Sequence, residues 1–479
     1  MADTRTADIR TLLGGGSPED RLSVTHLLVG AGFLIVGGIL QLLSLMALRF
    51  AYLFPISYGR LEPAANLSLI IGFATISLVG GVYYVLPRLT GARLAMVRFG
   101  GLGLLGMAGL TVLGLLAIFL GFGDGDQPLG LPWWLDIPLA GVLFVPALMT
   151  VATIRQRVEQ RSFVTLWFVI GGVVWLPLLY VGYLLADVPA ASSVAVAYSQ
   201  TFFSSGFVTM VLVTLGSGLT YYTVVKELDV PLASRQLALV GFWSLGFAAV
   251  WWGAAQLLFG PGPAWVAGVA AALGLAWPIG AIANASNVTM TLEGSWSDLG
   301  ENPSVLSGLL GLYLTVGVAV VAALAGFRSI GAVASLTAFW EAIEYVALSG
   351  VSVLLVSAMS FSALPRMSGR ELETARKARR FQRLTITGSV GVLVSLGAAG
   401  LLSGYSWIGG ANSAAFVPVG EGWQTALGTS YTTLLFVAVL FGLVLFAGLG
   451  GYASILFGTL TRGRAIPQEV LVSREMGDE

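Results

Sequence analysis

Apolar residues in this chain come in long unbroken blocks instead of alternating with polar ones. Twelve blocks recur at about 24–48, 65–87, 99–122, 137–154, 163–186, 196–225, 237–259, 264–290, 305–327, 335–364, 384–404 and 428–459. Most are long enough to cross a ~30 Å hydrocarbon core as a helix rising 1.5 Å per residue. A helix satisfies its own backbone groups in that medium, whereas a closed barrel would need short alternating strands that the pattern lacks. The pattern predicts an all-α, polytopic membrane protein of about twelve transmembrane helices. Residues 1–23 then form an N-terminal tail, 24–459 a single transmembrane domain and 460–479 a C-terminal tail.

Charge placement orients these spans. With the N-terminal tail in the cytosol, 21 of the 24 lysines and arginines fall on cytosolic segments, and only Arg49, Arg60 and Arg328 lie outside them. The positive-inside rule requires such a bias, so both tails are expected in the cytosol. The stretch up to Asp20 lacks the apolar core and small-residue cleavage site of a signal peptide. With 56% hydrophobic and 10% charged residues, the composition excludes a water-soluble globule. Zero net charge gives no ground for a nucleic-acid partner. The absence of cysteine removes disulfides, thiolate metal sites, iron–sulfur clusters and covalent heme attachment.

The connections are short and rich in glycine and proline, leaving no room for a soluble domain. Residues 122–136, with Asp124, Asp126, Trp133 and Trp134, read as an external turn ending in an aromatic anchor. Residues 402–427 read as the longest external loop, with Trp407 and Trp423 at the headgroup layer. Ser368 and Glu371 have the spacing of a capping box opening a short helix. The basic residues up to Arg383 either fix topology or attract anionic lipid or an acidic partner.

Glu341 and Glu344 are the candidate intramembrane proton or ion site. Three residues apart, they share a helix face, and they lie roughly 9 to 14 Å into a span counted from Ser335. Carboxylates inside a membrane are costly and by default face a cavity or a partner. They could relay a proton or bind a cation; alternatively they are hydrogen-bonded to neighbouring helices or lie shallow enough to meet water. No lysine or arginine lies near the middle of a span, so an ion-pair partner would come from a boundary residue such as Arg328 or Arg60. The one histidine, His26, opens the first span and reads as interfacial. Met46, Met107, Met149, Met210, Met290 and Met359 read as packing residues. No phosphate-binding loop, nucleophile elbow or zinc motif occurs, so no catalytic residue is assigned.

Several stretches, in order along the chain, resemble subunit I of the heme-copper oxidases, closest to the cbb-type cytochrome c oxidases and nitric oxide reductases. Ser57-Tyr58-Gly59-Arg60-Leu61 with Pro63, then Tyr83-Tyr84-Val85-Leu86-Pro87-Arg88-Leu89-Thr90-Gly91, resemble the second helix and its flanks. Tyr221-Tyr222, Lys226 and Gly241-Phe242-Trp243-Ser244-Leu245 resemble the passage from helix 6 into helix 7, and Gly260-Pro261-Gly262-Pro263-Ala264-Trp265 the end of helix 7. Leu292-Glu293-Gly294-Ser295-Trp296-Ser297-Asp298-Leu299 is similar to the loop after helix 8. Phe327-Arg328-Ser329 and Leu364-Pro365-Arg366-Met367-Ser368-Gly369-Arg370-Glu371 frame helix 10.

The resemblance implies a pseudo-threefold twelve-helix arrangement in a prokaryotic cytoplasmic membrane. It also implies six histidines that hold two hemes and a copper. Carried over residue by residue, those positions fall at or near Ala65, Phe202, Ala255, Gln256, Ile343 and Tyr345, none of them a histidine. The active-site tyrosine of the cbb-type enzymes corresponds to Ala233. Where the family has a second arginine after Arg60-Leu61, this chain has Glu62, a reversal of charge. No heme or copper is therefore expected on this chain, and Phe202, Phe339, Trp340 and Tyr345 are expected to fill the space. The leading expectation is a heme-free, non-catalytic relative acting as a structural or assembly subunit of a respiratory electron-transfer complex, a pseudoenzyme whose partner subunits carry the redox groups. A proton- or ion-translocating subunit using Glu341 and Glu344 is the alternative. An active cytochrome c oxidase or nitric oxide reductase is disfavoured by the histidine count.

Overall fold

A computed structural model describes residues 17–50, 55–124, 128–186, 193–248, 251–260, 262–412 and 421–466, apart from the side chains of 186, 298, 409–412 and 421–429. The helices, in order, are α1 (Pro18–Arg49), α2 (Tyr58–Thr90), α3 (Val97–Leu120), α4 (Trp133–Arg155), α5 (Val164–Ala186), α6 (Ser193–Leu228), α7 (Arg235–Ala248), α8 (Ala264–Thr291), α9 (Pro303–Ala325), α10 (Ala338–Ser368), α11 (Ala375–Asn412) and α12 (Glu421–Arg462). Among the described residues, eleven helices are long and apolar enough to span a membrane. The exception is α7. The sequence pattern predicts an unbroken span over 237–259, but the α-helix ends at Ala248 and the chain resumes as a short 3₁₀ segment, Trp252–Leu257. The tryptophans and Gly253 pack there at a point where the backbone must pass close to α6: Ala255 is buried, and a side chain at Gly253 would collide with Ser205 and the Thr201 carbonyl.

The order of burial follows a period of four. Helices α2, α6 and α10 are the most deeply buried spans, and each contains a π-helical stretch, Ser68–Thr75, Phe207–Val213 and Val346–Val351. The π stretch of α2 packs against those of α6 and α10. Hydroxyl side chains accompany each one. Ser68 donates to the Ala64 carbonyl at 2.8 Å, Thr214 to Thr209 at 2.8 Å and Ser349 to Tyr345 at 2.6 Å. Such back-bonding satisfies hydroxyls where no water is available and loosens the regular ladder, which admits the extra residue of a π turn. Around these helices α12 packs on α1 and α11, α9 on α10, and α5 on α6.

The central helices α2 and α10 also end alike. Leu86-Pro87-Arg88-Leu89-Thr90-Gly91 and Leu364-Pro365-Arg366-Met367-Ser368-Gly369 share one pattern, and both terminal glycines take a left-handed φ of 63° as helix C-caps. This internal echo is visible in the sequence but does not announce itself at a fixed period. It also overturns the capping-box expectation. Ser368 closes α10 and donates to the Leu364 carbonyl at 2.7 Å, while Glu371 N–H bonds to the Arg464 carbonyl at 2.8 Å. The chain after α12 pairs with this turn, so that the basic segment is held by backbone bonds and α11 begins only at Ala375. The external loop expected over 402–427 is likewise shorter. Helix α11 continues to Asn412 and α12 starts at Glu421, with Trp407 exposed on α11 and the side chain of Trp423 outside the described residues. At 122–136, Asp124 accepts from the Trp133 N–H at 3.2 Å, Trp133 and Trp134 are exposed, and Asp126 lies outside the described residues.

Small residues set how closely helices approach. A Cβ at Gly388 of α11 would lie 2.6 Å from both Cα and Cβ of Leu445 on α12, so the two backbones nearly touch there. Gly388→Val is expected to lower stability by about 1–3 kcal/mol through overpacking. Thermal unfolding in detergent should show a lower midpoint for it, whereas Gly101→Ala, with nothing within 4 Å, should leave the midpoint unchanged or raised.

Candidate functional site

The even-numbered central helices run parallel, so their N-terminal ends share one end of the bundle. Glu62 lies in the second turn of α2, Gln200 in the third turn of α6, and Glu341 and Glu344 in the first two turns of α10. These side chains come together. Glu62, Glu341 and Glu344 line a cavity of about 320 Å³ with Gln200, Gln256 and Thr201, and the same three carboxylates line an adjoining void of about 30 Å³ with Tyr58, Gln41 and Asn66. The void has room for about one water molecule.

Each carboxylate has a neutral polar neighbour. Gln256, from the 3₁₀ segment after α7, donates its Nε2 to Glu344 Oε1 at 3.1 Å. The Tyr58 phenol is within hydrogen-bonding reach of both Glu62 and Glu341. Neither arginine read from the sequence as an ion-pair partner takes that role. Arg60 donates instead to the Phe119 carbonyl at 3.4 Å, and the neighbours of Glu341 and Glu344 are Tyr58 and Gln256. The N-terminal ends of three helices favour negative charge at this place, each by roughly 0.3–1 kcal/mol.

The candidate pair from the sequence, Glu341 and Glu344, is thus joined by Glu62, which sequence reasoning noticed only as a reversal of charge. The depth also changes. Helix α10 begins at Ala338, after Leu336 with a left-handed φ of 57° and the N-cap Thr337. Counted from there, the two carboxylates lie roughly 5 and 9 Å along the helix, both half-buried and facing the cavity. Among the described residues, no group of three or more His, Cys, Asp or Glu side chains is placed to hold a metal ion.

Three of the positions implied for heme and copper ligands line these two spaces. Ala65 and Tyr345 line the small void, Gln256 the larger cavity, and Ala255 and Ile343 are fully buried beside them. Phe202 packs on Trp251 with ring centroids 5.4 Å apart. Next to Gln256, the Trp252 indole stacks on Trp277 at 4.4 Å and on Trp340 at 6.3 Å. Of the four side chains expected to fill this space, Phe339, Trp340 and Tyr345 are buried and Phe202 is half-buried; Trp252 and Trp277 had no signal in the linear pattern. Ala65, Phe202, Ala255 and Ile343 have no donor atom for iron or copper, and Gln256 and Tyr345 offer an amide and a phenol in place of imidazole, so these six side chains do not make the imidazole sites that those groups would need.

His26 does not change this. It is fully buried, not interfacial, and its Nδ1 lies 2.7 Å from the Leu22 carbonyl, which makes Nδ1 the protonated nitrogen. Its ring meets Tyr83 edge-on and its Cβ approaches Gly80 of α2. Gly80 is fifteen residues along the helix from Ala65, about 22 Å away at the helical rise.

The family described as Cytochrome C and Quinol oxidase polypeptide I matches residues 21–437. The chain belongs to that family. Among curated relatives of this oxidase polypeptide I chain, a protein of Rhodobacter capsulatus named cytochrome c oxidase subunit 1 is 27% identical over 292 residues, 56% of this chain and 54% of the relative. A cytochrome c oxidase subunit 1 homolog of Azorhizobium caulinodans is 27% identical over 57% of this chain and 51% of its own length. The cbb3-type cytochrome c oxidase subunit CcoN1 of Stutzerimonas stutzeri is 23% identical over 73% of this chain and 76% of that protein. The chain spans about half the length of the first curated relatives it matches. A solved structure of a heme-copper terminal oxidase dimer superposes with a TM-score of 0.74 at 14% identity, over 93% of this chain and 84% of that one. This last likeness establishes the shared fold.

Gln256→Leu leaves Glu344 without its amide donor and is expected to destabilise the chain by about 1–3 kcal/mol. A lowered thermal midpoint in detergent checks it, and Gln256→Asn should recover less than half of the loss because its amide is one methylene shorter.

Proposed function

We propose that this oxidase polypeptide I family member is a heme-free, non-catalytic subunit that holds other membrane subunits of an electron-transfer complex. The observation that carries this reading is that none of Ala65, Phe202, Ala255, Gln256, Ile343 and Tyr345 is an imidazole, while Ala65 and Tyr345 line the small void, Gln256 lines the adjoining cavity and stacked indoles lie beside Gln256. The resemblance implies imidazole donors for both heme irons and for copper, and Tyr345 alone offers one phenol oxygen where six imidazoles would stand. A scaffold that keeps the helices, caps and framing turns of its family but not these donors retains the surfaces on which partners assemble. In that complex the partners carry the redox centres. The chain sits in a prokaryotic cytoplasmic membrane with both tails in the cytosol, a reading supported by Arg88, Lys226 and Arg366 at the C-terminal ends of the three central helices.

Heme per chain decides between this reading and an active oxidase. The subunit is purified gently from its native membrane, then separated from what it carries, and heme is measured before and after by absorption and extraction. Heme in the undivided preparation and none on the separated chain is the expected result. Stoichiometric heme on the separated chain would sink the proposal.

A second reading is favoured by one observation, the three carboxylates lining a shared cavity at the helix N-termini. In it, Glu62, Glu341 and Glu344 take up a proton or a cation from the cavity and pass it inward. Glu341→Gln with Glu344→Gln would then abolish ion-coupled activity of the complex in proteoliposomes. Under the scaffold reading the same double variant assembles and leaves coupling unchanged.

A further inference from the structure

At the opposite end of the bundle from the carboxylates, a second cavity of about 560 Å³ opens between the C-terminal ends of α2 and α6 and the start of α5. A water molecule takes ~30 Å³, so this space is far larger than a few ordered waters require. Two cations, Arg88 and Lys226, line it, and among the described residues no carboxylate does. Arg88 is fixed in place, bonding to Asp20 at 3.1 Å and to the Tyr84 carbonyl at 2.9 Å, both through Nη1. Its guanidinium lies 3.8 Å over the Tyr84 ring and keeps further N–H groups for another acceptor. Lys226 lies in the fields of Arg88 and Arg366 and also of Asp229 and Glu227, and Glu227 is engaged by Arg366 and Ser362. Arg88 and Lys226 together present a guanidinium and an ammonium to the cavity, a pair of donors suited to an anionic oxygen.

The rest of the wall is of two kinds. Hydroxyls of Ser162 and Thr165 stand beside the cations, and Phe163, Val164 and Leu232 form an apolar side. Trp167 donates its indole N–H to Ser162 at 2.6 Å and is covered by the Arg235 guanidinium at 4.6 Å, the arrangement of an aromatic anchor at a headgroup layer. A free phosphate would satisfy the cations but leave the apolar wall against water. A molecule with both an anionic phosphate and an alkyl chain satisfies both.

We propose that this cavity binds the phosphate of an anionic phospholipid between Arg88 and Lys226, with an acyl chain along Phe163, Val164 and Leu232. The proposal is independent of whether the chain is a scaffold or an ion-translocating subunit. Native mass spectrometry of the full chain in neutral detergent tests it, with dioleoyl-phosphatidylglycerol, dioleoyl-phosphatidylcholine or inorganic phosphate added in turn. The expected result is one tightly held phosphatidylglycerol per chain, displaced poorly by phosphatidylcholine. Lys226→Gln should weaken that binding by about fivefold, the worth of one basic residue against an anionic lipid surface. Lys226→Arg should keep it, and Leu232→Trp, which fills the apolar side without touching charge, should lose it. Equal retention of the two lipids by the unaltered chain overturns the proposal. So does unchanged retention in both Lys226→Gln and Leu232→Trp, and so does binding of inorganic phosphate without binding of phosphatidylglycerol. The comparison of the two lipids on the unaltered chain decides the matter even where a variant fails to fold.

Discussion

Three parallel helices buried along most of their length bring like ends of like dipoles together, and much of the molecule answers that arrangement. In water the partial charges at helix ends are screened; inside a bilayer they are not, and opposite charges gather at each end. At the N-terminal ends of α2 and α10 the chain places Glu62, Glu341 and Glu344, with the neutral Gln200 on α6, and at the C-terminal ends of α2, α6 and α10 Arg88, Lys226 and Arg366. The first group lines a polar cavity with amide and phenol neighbours, and in the second Arg88 pairs with Asp20 and Arg366 with Glu227. Both polar regions of the molecule are consequences of one packing choice.

That choice also explains how an oxidase-like interior persists without the donors of its family. Positions where imidazole would bind metal must otherwise be filled, since a void forfeits dispersion contacts with its whole lining. Small residues at Ala65 and Ala255 let helices close in, and the indoles of Trp252, Trp277 and Trp340 take up volume by stacking. The filling is incomplete beside Gln256, and the cavity that remains is polar because three acidic side chains face it. The chain therefore keeps a lined chamber near one face of the membrane, whichever function it serves.

Particular residues show how far the linear pattern could be read. Eleven of the twelve apolar blocks are helices long enough to span, since a run of twenty apolar residues has one low-energy solution in lipid. The block at 237–259 has the same composition but does not stay helical, because close packing of Gly253 against α6 overrides local preference. That Glu341 and Glu344 share a face, which lines a cavity, was legible from their spacing on one helix. Glu62 and Gln256 were not, because they reach the same cavity from α2 and from the segment after α7, far away in the chain. Ser368 and Glu371 had the spacing of a cap, yet the pairing of 369–371 with 464–466 ends one helix there instead of starting another.

By itself the sequence determined the class of solvent, eleven of the spans and their order, the family they belong to and the lack of imidazole donors. Each of these depends on composition or on residues close in the chain: hydropathy over one helix length, a motif within a turn, or a count. Only the tertiary structure decided which side chains share a cavity, how deep the acidic pair lies, where the single histidine is buried and which two cations line one amphiphilic pocket. These depend on helix ends brought together from segments a hundred or more residues apart, and they are set by close packing and by the demand that buried polar groups find partners.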